Sequence, residues 1–202
     1  MVIRSAVHRG VGGIKRIEMG DMNDGLNSFQ LLRRLSSQLG FYEYNGGYIR
    51  IHKDRKEYLV FIYLSVRAGI QANSVGTTSF FEISTKVSYP HPIFCIRKTT
   101  KLDWVVEHIF HMPDYQVGEE DFDTRFFIKL KDKEWGHRFF GRGSIKSCIS
   151  NLLLNGFDLI HSEDGDLKVI KYLKPGECPS AKMVTNAIEY IGEIISNFPI
   201  SL

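Results

Sequence analysis

Apolar residues recur along this chain at two different periods. Leu26, Phe29, Leu32, Leu35 and Leu39 fall three or four apart, which predicts a helix over 23–39 that ends at Gly40. Phe41 to Tyr44 and the alternating Tyr48 to His52 predict two strands joined by the turn Asn45-Gly46-Gly47. Lys53 to Lys56 is a polar turn, and Tyr58 to Val66 is β-branched and aromatic, as a central strand is. The stretch from Ala68 to Thr78 is polar and reads as a loop. Ser79 to Ser88 then alternates, with Phe81, Ile83, Thr85 and Val87 on one face. Pro90 and Pro92 break that strand, and Ile93 to Arg97 predicts a short one.

The second half carries more helical patterning. Leu102 to Phe110 predicts a helix, and Phe122 to Leu130 a strand. Lys133 to Phe140 and Ser144 to Leu154 predict two more helices, the second with Ile145, Cys148, Ile149 and Leu152 on one stripe. Asn155-Gly156 stops it. Phe157 to His161 and Leu167 to Leu173 predict a hairpin about Asp164-Gly165. Pro179 to Phe198 predicts a last helix with Met183, Ala187, Tyr190 or Ile191, and Ile194 inward. The expected class is therefore α+β, mainly antiparallel sheet with about five helices. Two passages share the plan helix, glycine, Phe, strand, turn, strand: one around Gly40, the other around Gly156. No GxGxxG opens a helix after a strand, and there is no P-loop.

Composition changes this picture mainly through where the charge sits. The 202 residues carry a formal +3, and residues 1–20 hold all of it: Arg4, Arg9, Lys15 and Arg16 against Glu18. The other 182 residues hold 22 bases and 22 acids. A balanced body gives no support to a nucleic-acid domain, so no nucleic-acid partner is expected. We read residues 1–22 as a flexible basic leader and 23–202 as a single α+β domain, with a possible sub-division near residue 100. Cys95, Cys148 and Cys178 form no CxxC, and an odd count suits a reducing compartment. No apolar run reaches the ~18–20 residues of a membrane helix, and the N-terminus lacks an apolar signal core. The expectation is a cytoplasmic protein with no membrane span and no cofactor.

Residues Val117 to Ile128 (VGEEDFDTRFFI) resemble a pattern that recurs in uncharacterised prokaryotic proteins. There a glycine and acidic residues precede Phe-Asp, an arginine, Phe and an apolar strand. Two helices and a terminal hairpin follow, which here would be Glu134 to Phe140, Ile145 to Leu154 and Phe157 to Leu173. The likeness covers residues 40–173 in outline, and only the Phe-Asp stretch is specific. The resemblance implies no established activity. Many such proteins place this region beside membrane segments, which this sequence does not show.

Four groups of residues have types suited to chemistry. His108 and His111 lie near Glu107 and Asp114, the weak candidates for a metal site, although Met112-Pro113 ends the helix there. Glu119, Glu120, Asp121 and Asp123 are four carboxylates in five residues. If Phe122 opens a strand, Asp121 and Asp123 share a face, and Arg125 or a loop amide is the expected partner of Asp123. Gly141-Arg142-Gly143-Ser144 precedes a helix, where Ser144 as a cap, Arg142, Arg138 and Lys146 suit an anion. Cys178 before Pro179 is the remaining candidate nucleophile, read as a packing cysteine. The reading is a non-catalytic binding domain whose candidate residues are Asp121, Asp123, Arg125, Arg138, Arg142, Ser144 and Lys146. The alternative is an enzyme, metal-dependent in one form, that acts on a phosphorylated small molecule. The two part on whether these groups converge on one concave pocket.

Overall fold

The computed structural model describes residues 28–40, 43–45, 47–68, 75–87, 91–100, 115–174 and 177–199. Its elements are α1 (Ser28–Leu39), β1 (Glu43–Tyr44), β2 (Ile49–Lys53), β3 (Lys56–Ala68), β4 (Val75–Lys86) and β5 (Phe94–Lys98). After these come α2 (Glu120–Arg125), β6 (Phe126–Leu130), α3 (Lys133–Phe140), α4 (Gly143–Leu154), β7 (Leu159–Glu163), β8 (Asp166–Leu173) and α5 (Ala181–Ser196). The α+β class, with five helices and one antiparallel sheet among the described residues, is the one the patterning predicts.

Among the described residues one sheet holds all eight strands, in the order β1-β2-β3-β4-β8-β7-β5-β6. The β7–β8 hairpin enters beside β4, so strands from before and after residue 100 share a single hydrogen-bonded ladder. Tight turns set the register. Asp54 and Arg55 both take positive φ, 50° and 63°, as do Asp164 and Gly165 at 54° and 79°. Such turns match the twist of their flanking strands. Gly40 at φ 77° and Gly156 at φ 110° follow the ends of α1 and α4, the left-handed position a helix stop needs.

Period two then sorts the strand residues. Tyr58, Val60, Ile62, Phe81, Ile83, Leu167, Val169, Ile160, Ile96, Phe126 and Ile128 are buried, and the alternate residues form the opposite face. The described helices cover the buried face. Phe94 of β5 lies against Trp135 and Phe139 of α3, with ring centroids at 5.5 and 5.8 Å. Tyr58 of β3 lies under Gly192 of α5, where an added Cβ would come within 3.1 Å of the phenol oxygen. Lys171 of β8 donates to the Gly156 carbonyl past the end of α4.

Several expectations are corrected. The segment from Glu120 to Arg125 is a helical turn, and the strand begins only at Phe126. The acidic residues stand at the helix N-terminus, where their charge is favourable. β3 and β4 also run past the expected ends, pairing Ala68 with Val75, because backbone ladder bonds carry the polar threonines. Phe29 is 53% exposed. The buried face of α1 centres on Leu31, Leu32, Leu35 and Ser36, and Phe29 lies about 90° round from its middle. In α5 the inward set is Val184, Ala187, Ile188, Ile191, Ile194 and Ile195, so Met183 and Tyr190 flank the stripe. The expected leader 1–22 and helix 102–110 lie outside the described residues.

Candidate functional site: the open sheet face

The acidic loop is a built structural device. Both carboxylate oxygens of Asp123 accept backbone amides, from Val117 and Gly118 at 2.8 Å and from Glu119 at 3.1 Å. Arg125 is not its partner, because in a helical turn residues two apart point to different sides. The loop amide, the second expected partner, is the one found. Asp121 and Arg125 are exposed on α2.

The glycine turn meets this loop through one contact, Lys146 Nζ to Glu119 Oε1. Arg142 donates to the Asn197 carbonyl at 3.0 Å and to its side-chain oxygen at 3.3 Å, tying α4 to the end of α5. Ser144 is not the cap: α4 starts at Gly143, and its N-cap residue is Arg142 without a side-chain bond. Arg138 is exposed in the last turn of α3. Asp123, Arg142 and Lys146 are thus spent on holding loops and helices together. His108 and His111 lie outside the described residues. Among the described residues no group of three or more His, Cys, Asp or Glu is placed to hold a metal ion.

A cleft of about 270 Å³ lies between the β2–β3 turn and α5, lined by none of these candidates. Its lysines are also engaged. Lys56 donates to the Gly192 carbonyl at 3.1 Å and the Ser196 hydroxyl at 2.8 Å, and Lys53 pairs with Glu189 at 3.0 Å. This is a clasp that fixes α5 to the hairpin.

The face of the sheet away from the described helices is different. Tyr48 packs on Phe61 at 5.6 Å, Phe61 stacks on Tyr63 at 5.4 Å, and Tyr63 meets Phe80 at 4.8 Å. Tyr172, 50% exposed, is the register partner of Phe80 on the next strand. The apolar band continues to Ile170 and Leu159, and Arg97 then separates Leu159 from Phe127, whose ring lies 4.6 Å from the guanidinium carbon. No family model matches the chain, and no curated protein matches it either.

Charge on the open face is interleaved. Arg50 donates to Glu43 at 3.1 Å and forms an ion pair with Glu57 at 3.1 Å, and His161 lies 3.3 Å from Glu163. Glu82 sits between Phe61 and Ile170, and burial pushes its carboxyl upward despite the pull of Lys168. Cys95 is the direct neighbour of both His161 and Lys129, the one thiol–imidazole pairing the register creates. Burial pushes that thiol up too, more strongly than Arg97 and Lys129 pull it down. A protonated thiol is a poor nucleophile.

Sequence reasoning missed this surface. Alternation told which residues leave each strand on the same side. The rows across the sheet depend on strand order, and β8 entering between β4 and β7 has no local signal.

Proposed function

We propose that this chain is a non-catalytic protein-binding domain that works through the open face of its sheet. One observation carries the reading: an aromatic and aliphatic band, from Tyr48 to Leu159, on the face that no described helix covers. Extended apolar patches of this kind mark interaction surfaces. A protein partner is favoured over nucleic acid because Glu43 and Glu57 stand on Arg50 and Glu163 on His161, which interrupts the bases of the face. Of the candidate side chains of the enzyme alternative, Asp123, Arg142 and Lys146 are engaged in structural contacts, which weighs against that reading.

A photo-crosslinking amino acid placed at Tyr63 or Tyr172, compared with one at Arg138 on the helix side, tests the reading in cells. Discrete protein adducts from 63 and 172, lost when Phe80→Glu is added and absent from 138, support it. Adducts to nucleic acid, or none from the sheet face, overturn it.

A further inference from the structure

We propose that the cleft between the β2–β3 turn and α5 binds a small primary amine, with its ammonium between the Asp54 carboxylate and the Tyr58 phenol oxygen. The cleft lies on the helix side of the sheet, so the inference is independent of the open face.

The cleft measures about 270 Å³, room for roughly nine waters or one short alkylamine. Tyr58 lines it and is only 1% exposed, yet its phenol oxygen makes no hydrogen bond among the described residues. A buried hydroxyl left without a partner is costly. Burial, and then the Asp54 charge, push this phenol up, so it keeps its proton at neutral pH. The oxygen of a neutral phenol accepts from a donor such as an ammonium.

Gly192 keeps that oxygen within reach. It sits inside α5, where glycine is unfavourable relative to alanine. A Cβ there would stand 3.1 Å from the phenol oxygen and meet nothing else within 4 Å. The missing side chain leaves space directly over the hydroxyl.

Charge selects a cation. The lining carries three carboxylates, Asp54, Glu189 and Glu193, against the two ammonium groups of Lys53 and Lys56. Lys56 is spent on the Gly192 carbonyl and the Ser196 hydroxyl, and Lys53 on Glu189. The walls therefore already hold two alkylammonium groups of the chain itself. Glu193 accepts from the Asn197 side chain at 2.9 Å. The Asp54 carboxylate has neither a hydrogen bond nor an ion pair among the described residues. The last turn of α5, which carries Glu193 and Ser196, adds the negative end of its dipole. Ile188 and the Tyr58 ring give an alkyl stem an apolar wall. A metal ion is disfavoured, because no group of three or more His, Cys, Asp or Glu among the described residues is placed to hold one.

Chemical-shift perturbation by NMR on the full chain tests this. The probe is n-butylammonium chloride, compared with sodium butyrate and ammonium chloride at the same ionic strength. The amine is expected to give saturable shifts at millimolar concentration, centred on Asp54, Tyr58 and Gly192. Asp54→Asn keeps a residue that tolerates the positive φ of this turn, and should weaken binding by about tenfold. Tyr58→Phe should weaken it severalfold. Gly192→Ala, which covers the phenol from the helix side, does the same should Tyr58→Phe fail to fold by circular dichroism. Shifts that never saturate overturn the inference. So does an equal response to butyrate or to ammonium chloride, or full affinity in Asp54→Asn.

Discussion

Glu82 and Arg97 stand in one row of the open face, separated by Ile170 and Leu159 on the two strands between them. Three strand spacings put them ~14 Å apart, too far to pair within the chain. Arg97 instead lies over Phe127, and Glu82 lies among apolar neighbours. A charge in such a place is costly unless something faces it. That relationship gives the sheet face its polarity and its reason to be covered.

Asp123→Asn should destabilise the chain. The variant keeps the shape but cannot accept from three amides equally, and charge-assisted bonds of this type are the stronger ones. A loss of about 1–2 kcal/mol is expected, which lowers the melting temperature by ~2–8 °C. Thermal unfolding by circular dichroism checks it. An unchanged melting temperature would mean that the carboxylate is free for another role.

Gly136→Ala should cost more. A methyl on this buried α3 position would overlap Leu130 Cδ2 and come within 2.8 Å of the Tyr115 ring. Overpacking of this kind costs about 1–3 kcal/mol. Denaturant unfolding should show a lower midpoint at an unchanged slope. Gly143→Ala, where an added Cβ meets nothing, is the control and should leave stability within about 0.5 kcal/mol.

Glu177 supplies a pH dependence. The Lys174 amide and then the Lys171 ammonium, 3.0 Å away, hold its carboxyl below the ordinary carboxylate range. A lowered carboxyl stabilises the fold above its unfolded pKa of about 4.3, and that contribution disappears as pH falls through the folded value. Glu177→Gln should therefore melt lower than wild type at pH 7, with the gap closing as pH drops below about 4. Paired melting curves from pH 7 to about pH 3 decide it. A gap that persists undiminished in acid would show that the charge is not what the residue contributes.

Much of the fold was legible in the sequence because it is written in local periods. The stripe Ile145, Cys148, Ile149 and Leu152 is buried on α4, and Phe81, Ile83, Thr85 and Val87 are all buried as one strand face. Both glycine stops, Gly40 and Gly156, take positive φ. The failure at residues 120–125 has the same origin. Phe122 and Phe126 are four apart and pack ring to ring at 4.9 Å across one helical turn, but a strand of alternating Phe, Thr and Phe puts the same two residues on one side. Period alone could not separate these, and the deciding factor, Asp123 capping its own loop, is a contact made after folding. The candidate site was illegible for a larger reason. Its rows join residues from both halves of the chain, so they exist only once β8 has entered the sheet beside β4.

Cys95 should be slow to react. Its thiol is pushed up by burial and sits on the open face next to His161. Alkylation by iodoacetamide at pH 7, followed by peptide mass spectrometry, should modify it more slowly than a free cysteine. Fast modification would mean a thiolate, and the thiol–imidazole pair would return as a catalytic candidate.

Carbene footprinting of the purified chain with and without cell extract tests the central claim most directly. The open face is the working surface, so extract should lower labelling of Tyr63, Phe80 and Tyr172. Labelling of Phe29 and Leu154, exposed on the helix side at 53% and 55%, should stay constant. Protection of Phe29 or Leu154 instead, or labelling of all five that extract leaves unchanged, would contradict the account.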